Sequence, residues 1–193
     1  KKDSPVVEPT LNIDFFNGIG GFVENGQEYV TVLRGNEWTP APWINVVGNK
    51  HGFGFQVSEA GSGFTWSVNS QTNRLTPWSN DPVMDPPGEI IYLRDDDTGE
   101  IWTPTPLPIR SPQTYIIRHS QGATTFEHFD HGIEHSLQLF VPVNDTLKIS
   151  ILKIKNRSHR KRRISVTSYT EWVLGSQREK TSPYLICDID QAS

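Results

Sequence analysis

The chain has one cysteine, Cys187, so no internal disulfide can form and its stability must come from packing. Long apolar runs are missing too. Nothing approaches the roughly 18 apolar residues of a membrane span, and residues 1–7 hold no hydrophobic segment of a secretion signal. The chain therefore reads as a soluble segment. Positive charge is not in excess: the formal net charge is −4 and the pI near 5.9, which gives no electrostatic reason to expect nucleic acid. Internal repeats and low-complexity tracts are absent, and hydrophobic residues, at 35%, fall below the globular norm.

What is present points to strands. The 193 residues suffice for one domain with a real core, and aromatics reach 10% with six tryptophans. The 15 glycines and 14 prolines are spread along the chain, which disfavours long helices. Short segments with period-2 alternation recur at 28–33, 52–57, 89–94 and 115–118. Later, Leu137, Leu139 and Val141 alternate, as do Leu147, Ile149 and Ile151, then Ile164 and Val166. Turn chemistry at 95–100, 130–132 and 156–161 predicts hairpins. The expected fold is an all-β antiparallel sandwich, with long functional loops over 36–51 and 69–88.

Several motifs invite a functional reading and fail on spacing. GIGGF at 18–22 lacks the further glycine or alanine of a dinucleotide loop, since Val23 stands there and turn residues follow; it reads as a tight turn. Asp95, Asp97 and Gly99 resemble a calcium loop, but the glycine falls one position early and Pro106 and Leu107 sit where oxygen donors belong. His128, His131 and His135 flank a predicted turn, so His128 and His135 can face each other across a strand pair. That supplies two metal ligands without a third, and solvated strand residues are the expectation. The basic run at 157–163 reads as a charged hairpin tip. No G-x-S-x-G elbow occurs and Cys187 has no activating neighbour. Glu59, Asp81, Asp85 and Glu89 could form a carboxylate pair for glycoside chemistry, but sequence does not give their separations.

FTWSVNSQTNRLTPWSNDP at 64–82 combines flat rings with hydrogen-bonding side chains and does not alternate long enough for a buried strand. Sugars offer an apolar C–H face and vicinal hydroxyls, which tryptophan and Asn, Asp or Arg match. Trp66, Asn69, Arg74, Trp78, Asn80 and Asp81 are accordingly the candidate saccharide-binding set. The alternative is that the tryptophans cover the open end of the sandwich while Arg74 pairs locally with Asp81.

FNGIGGF (16–22), WTPAPWINV (38–46), GFGFQVSEAGSGFTWS (52–67) and LTPWSNDPVMDPPGE (75–89) resemble one family, as do DDDTGEIWTPTP (95–106), SLQLFVPVND (136–145), IKNRS (154–158) and SYTEWVLG (168–175). The similarity is to the phosphorylase region of cyclic β-1,2-glucan synthases, and more broadly to the glycoside hydrolase family of cellobiose and chitobiose phosphorylases, bacterial enzymes among them. It implies an N-terminal β-supersandwich, here 15–193 and apparently truncated at its C-terminus, after an extension or linker over 1–14. In that family phosphate attacks the anomeric carbon with inversion, and the acid aspartate lies in a separate helical (α/α) barrel. No residue here corresponds to it, so no catalytic residue, cofactor or metal is expected and the chain by itself is expected to be inactive. The implied role is to help form the glucan site and the subunit interface of a glycoside phosphorylase or glycosyltransferase. A purely structural dimerisation module is the alternative, and a stand-alone hydrolase is disfavoured. Implied partners are a β-glucan or other glucose-containing oligosaccharide, the helical barrel, and a second subunit in a homodimer, with no membrane contact by this segment. The implied location is cytoplasmic, as a free protein or as a soluble domain of an inner-membrane protein. A truncated sandwich would leave strand edges unpaired for a partner chain or swapped strand to cover.

Overall fold

The computed structural model describes residues 11–190. All its strand pairs are antiparallel, and the fold is the β-sandwich expected from the alternation. The larger layer is a six-stranded sheet. It begins with β1 (Gly20–Val23) and β2 (Glu28–Leu33) and continues with three later strands: β8 (Tyr115–Ser120), β9 (Ala123–Asp130) and β10 (Ile133–Phe140). β11 (Ile149–Asn156) closes the order β1-β2-β8-β9-β10-β11. Two three-stranded sheets oppose it. One is β3 (Ile44–Gly48), β4 (Gly54–Ser58) and β5 (Gly63–Trp66). The other orders β12 (Ile164–Thr170) next to β6 (Glu89–Asp95) and then β7 (Ile101–Trp102).

Period-2 patterning sets the faces. On β9 and β10, Phe126, His128, Ile133, His135, Leu137 and Leu139 are buried while their neighbours are partly exposed. Phe126, Leu137 and Leu139 meet Phe55, Val57 and Val47 of the opposing sheet together with Leu33, Tyr115 and Ile117. Burying each such side chain contributes about 1.5–3 kcal/mol, so this cluster carries most of the fold. A smaller cluster of Leu93, Trp102 and Ile133, flanked by Leu152 and Ile164, seats the other sheet. The far face of β2 and β8 is covered by Leu11 and Ile13, which pack on Val30, Val32 and Ile116. The extension expected over 1–14 therefore lies outside the described residues only as far as residue 10.

The segment that follows β12 joins the two small sheets. Past β12, the N–H groups of Glu171, Val173 and Gly175 donate to the carbonyls of Gly88, Leu75 and Arg74. The segment 74–76 in turn pairs with β5, through Leu75 N–H to the Thr65 carbonyl at 2.8 Å. Residues 164–175 thus run along β6 and then along 74–76.

β11 and β12 are the end strands of their sheets among the described residues. Between them a cleft of about 320 Å³ opens, lined by Leu137, Leu139, Leu152, Val166, Ser168 and Lys148.

Four sequence expectations need correction. The loop expected over 36–51 is interrupted by strand, Ile44–Gly48 forming β3 against β4. Phe64 to Trp66 is strand, not loop, because Phe64 and Thr65 are buried and Thr65 is satisfied by Thr76 and Glu89. GIGGF is only partly a turn. Gly18 takes the left-handed φ of +102°, whereas Gly20 is in β1, where a Cβ would sit 2.6 Å from the Val30 carbonyl oxygen. The connection 156–163 is no hairpin, since β11 pairs with β10 and β12 with β6. It crosses between layers because the buried Asp95 carboxylate binds Arg160 and Arg162, both at 2.7 Å. The basic run is therefore largely neutralised from within, Arg157 also pairing with Glu134. The 95–100 and 130–132 hairpins form as expected.

Candidate functional site

The two aromatic loops converge on adjacent residues at the end of β4. Glu59 is buried; it accepts a hydroxyl bond from Thr39 and the Trp43 N–H at 2.6 Å, which fixes the loop 36–43. Burial raises the Glu59 pKa, with the Thr39 and Trp43 bonds opposing. Beside it, the Ser58 hydroxyl donates to Asp85 at 2.7 Å and ties down the far end of the loop 67–88. Glu89 anchors that loop at its base. Burial opposes its ionisation, but the Lys148 ammonium at 2.6 Å and the hydroxyls of Thr65 and Thr76 outweigh this and hold its pKa below the ordinary value.

Each loop presents one tryptophan backed by an arginine. The Arg74 guanidinium lies 5.0 Å from the Trp78 ring centre, and Arg110 lies 4.7 Å from that of Trp38. Both guanidiniums are held by main-chain carbonyls: Arg74 donates to Ser70 and Ser176, Arg110 to Gly35 and Glu37. Arg110 also sits 4.9 Å from the Tyr115 ring, whose phenol burial pushes up to about 12. Trp78 is 42% exposed and Trp38 45%, so both rings keep substantial contact with solvent. Two cations held against rings in this way are worth about 0.5–2 kcal/mol each and stiffen the loops.

The candidate set divides. Trp66, Arg74 and Trp78 are brought together: Trp66 bridges Arg74 across the strand pair and Arg74 stacks on Trp78. Asn69 is given to its own turn, its side-chain oxygen accepting from Gln71 and Thr72 N–H. Asp81 does the same for Val83 and Met84, so the expected alternative of a local Arg74–Asp81 pair is not what forms. Asn80 is exposed. The start of this loop is strained: Val68, a β-branched residue, has φ +66°. Arg110, Glu59 and Ser58 were not singled out as loop anchors, because each acts across a long sequence interval that no local motif encodes. Trp38 at least belonged to the aromatic stretch 38–43.

The carboxylates considered for glycoside chemistry are engaged structurally, Glu59 and Glu89 as buried anchors, Asp81 and Asp85 as loop ties. Among the described residues no group of three or more His, Cys, Asp or Glu could hold a metal ion. No helix of the described residues is long and apolar enough to cross a membrane. His128 and His135 do face each other across β9 and β10, with ring centres 5.2 Å apart, but both are buried rather than solvated.

Residues 27–193 match the family described as glycosyl hydrolase 94, supersandwich domain. The chain is 42% identical over 185 residues to cyclic beta-(1,2)-glucan synthase NdvB of Rhizobium meliloti, an alignment covering 94% of this chain and 6% of that protein. It is 33% identical to N,N'-diacetylchitobiose phosphorylase of Vibrio proteolyticus, over 79% of this chain and 19% of that one. It is 28% identical to solabiose phosphorylase of Paenibacillus borealis, over 89% and 22%. The chain thus spans less than a quarter of each of these relatives.

Proposed function

The chain belongs to the glycosyl hydrolase 94 supersandwich family, and from that premise we propose that it is the non-catalytic β-domain of a larger carbohydrate-active phosphorylase or glycosyltransferase of the cyclic β-1,2-glucan synthase kind. Its loops 36–43 and 67–88 form the rim of a glucan site. The observation that carries this reading is the pair of arginine-backed tryptophans, Trp38 on Arg110 and Trp78 on Arg74. A sugar ring stacks on a flat, immobile aromatic face, and loops tied to Ser58 and Glu59 lose little entropy in receiving it. The matched relatives named for glucan synthesis and disaccharide phosphorolysis support the same ligand class.

A second reading has its own observation. Val83 and Met84, on the same loop as Trp78, are 89% and 68% exposed, and aliphatic side chains suit a protein surface better than a sugar. On that reading the loop packs against a catalytic partner domain or a second subunit.

Titration of the chain with β-1,2-linked gluco-oligosaccharides at millimolar concentration, followed by NMR, separates the two. The first reading expects shifts confined to the two loops and weakened about tenfold or more by Trp78→Ala, a loss of about 1.4 kcal/mol. No shifts at all, with a concentration-dependent dimer in light scattering that Met84→Asp abolishes, would transfer the role to the second.

A further inference from the structure

Two buried imidazoles at the junction of the layers have complementary needs. His128 directs Nδ1 at the Thr114 carbonyl oxygen, 2.9 Å away, so that nitrogen carries the proton and donates. Its Nε2 is then a bare acceptor. His135 receives the Trp102 indole N–H on Nε2 at 3.2 Å, so its proton resides on Nδ1. The rings belong to register partners on β9 and β10. His128 is fixed further by stacking on Tyr115, with ring centres 3.6 Å apart.

The His128 acceptor and the His135 donor are the two atoms of these rings that no protein group meets in hydrogen-bonding geometry. The main-chain carbonyl of His135 influences its own ring without meeting that geometry. The Asp130 carboxylate, two residues along the same face of β9, has an oxygen 4.0 Å from His128 Nε2, too far for a direct bond and the wrong type, since both are acceptors. The two ring atoms therefore lack one small group that accepts from His135 and donates to His128. The Asp130 carboxylate, which accepts the His131 N–H on Oδ1 and has Oδ2 3.5 Å from His131 Nε2, keeps acceptor capacity for a second proton of that group. Leaving a buried donor or acceptor unmade costs about 1–3 kcal/mol each, which is reason for the site to be filled.

We propose that this corner of the sandwich is a binding site for a single internal water molecule, which accepts the His135 Nδ1 proton and donates to His128 Nε2 and the Asp130 carboxylate. Three polar partners are the usual complement of a buried water. The water completes a chain from the Trp102 indole in one layer, through His135 and His128, to the Thr114 carbonyl in the other. A divalent cation would need the proton removed from His135 Nδ1 while Trp102 occupies its other nitrogen, which the hydrogen-bond directions disfavour.

A crystal structure at a resolution that orders internal waters tests this on the unmodified chain. It should show one light-atom peak within about 3 Å of all three atoms. Nitrogen-15 spectra of the histidine rings should place both His128 and His135 in the Nδ1–H form, with the His135 proton in cross-relaxation contact with water. Direct contact between the two imidazoles, a dry site, an anomalous-scattering peak from a metal, or an Nε2–H form for either ring would each overturn the proposal. Trp102→Phe releases the His135 tautomer, and loss of the water signal in that variant while the fold persists is the expected companion result.

Discussion

Acid should unfold this protein well above the carboxylate range. Burial holds three histidines neutral, His119 at about 4, His128 at about 4 and His135 at about 3, against an ordinary value of 6.5. The unfolded chain binds protons that the folded chain refuses, so stability is complete above 6.5 and falls as the pH drops from 6.5 toward 4. At pH 5 each of these groups costs about 2 kcal/mol, and together about 6 kcal/mol, of the 5–15 kcal/mol typical of a domain. The surroundings modulate this without changing its sign. Arg110 and His131 depress His128 further, Asp130 partly supports a charge on His135, and the Trp43 carbonyl does so for His119. Glu59, whose pKa burial raises, works in the opposite direction but is a single group. The assay is urea unfolding followed by tryptophan fluorescence at pH 7.5, 6.5, 5.5 and 5 at constant ionic strength. The midpoint should fall steeply, and His119→Gln should remove about a third of the slope. A midpoint constant from pH 7.5 to 5, or ring titrations of His128 and His135 near the ordinary value, would refute the reasoning.

Other changes follow from single contacts. Glu89→Gln leaves the Lys148 ammonium without its carboxylate beneath the loop 67–88, and should cost about 3–5 kcal/mol by denaturant unfolding. Val68→Asn relieves a β-branched residue at φ +66° and should stabilise by about 1 kcal/mol, since asparagine tolerates that backbone; an unchanged midpoint would show the strain to be absent. Gly63→Ala puts a methyl group 1.9 Å from the Gln56 carbonyl oxygen inside the β4–β5 pair, and a loss of about 3 kcal/mol or more is expected in thermal unfolding.

Alternation made β10 legible in the sequence, because Leu137 and Leu139 face the core while their neighbours meet solvent. Thr65 hid β5: a buried threonine is sequence-polar, and only Thr76 and Glu89, 11 and 24 residues on, make it an interior residue. The crossing at 156–163 was read as a hairpin for a similar reason. Arg160 and Arg162 look like a solvated tip until Asp95, more than sixty residues earlier, draws them inward. In the candidate site, ring and amide content located the right stretch, but local hydrogen bonding claimed Asn69 and Asp81 for turns. The backing arginine of Trp38 lies in a different region of the chain altogether, as does the carboxylate that holds its loop.

The segment 164–175 sets an order of events during synthesis. The contacts that bring the small sheets into one layer, such as Arg74 to the Ser176 carbonyl across 102 positions, involve residues synthesised after every strand from β1 to β11. Until then β3 to β5 and β6 to β7 can form only as separate pieces resting on the large sheet. Loop closure over such spans is what slows all-β proteins to milliseconds or longer. Cooperativity in this domain therefore arrives late and all at once, and a nascent chain stalled before residue 164 would present exposed strand edges to whatever is nearby.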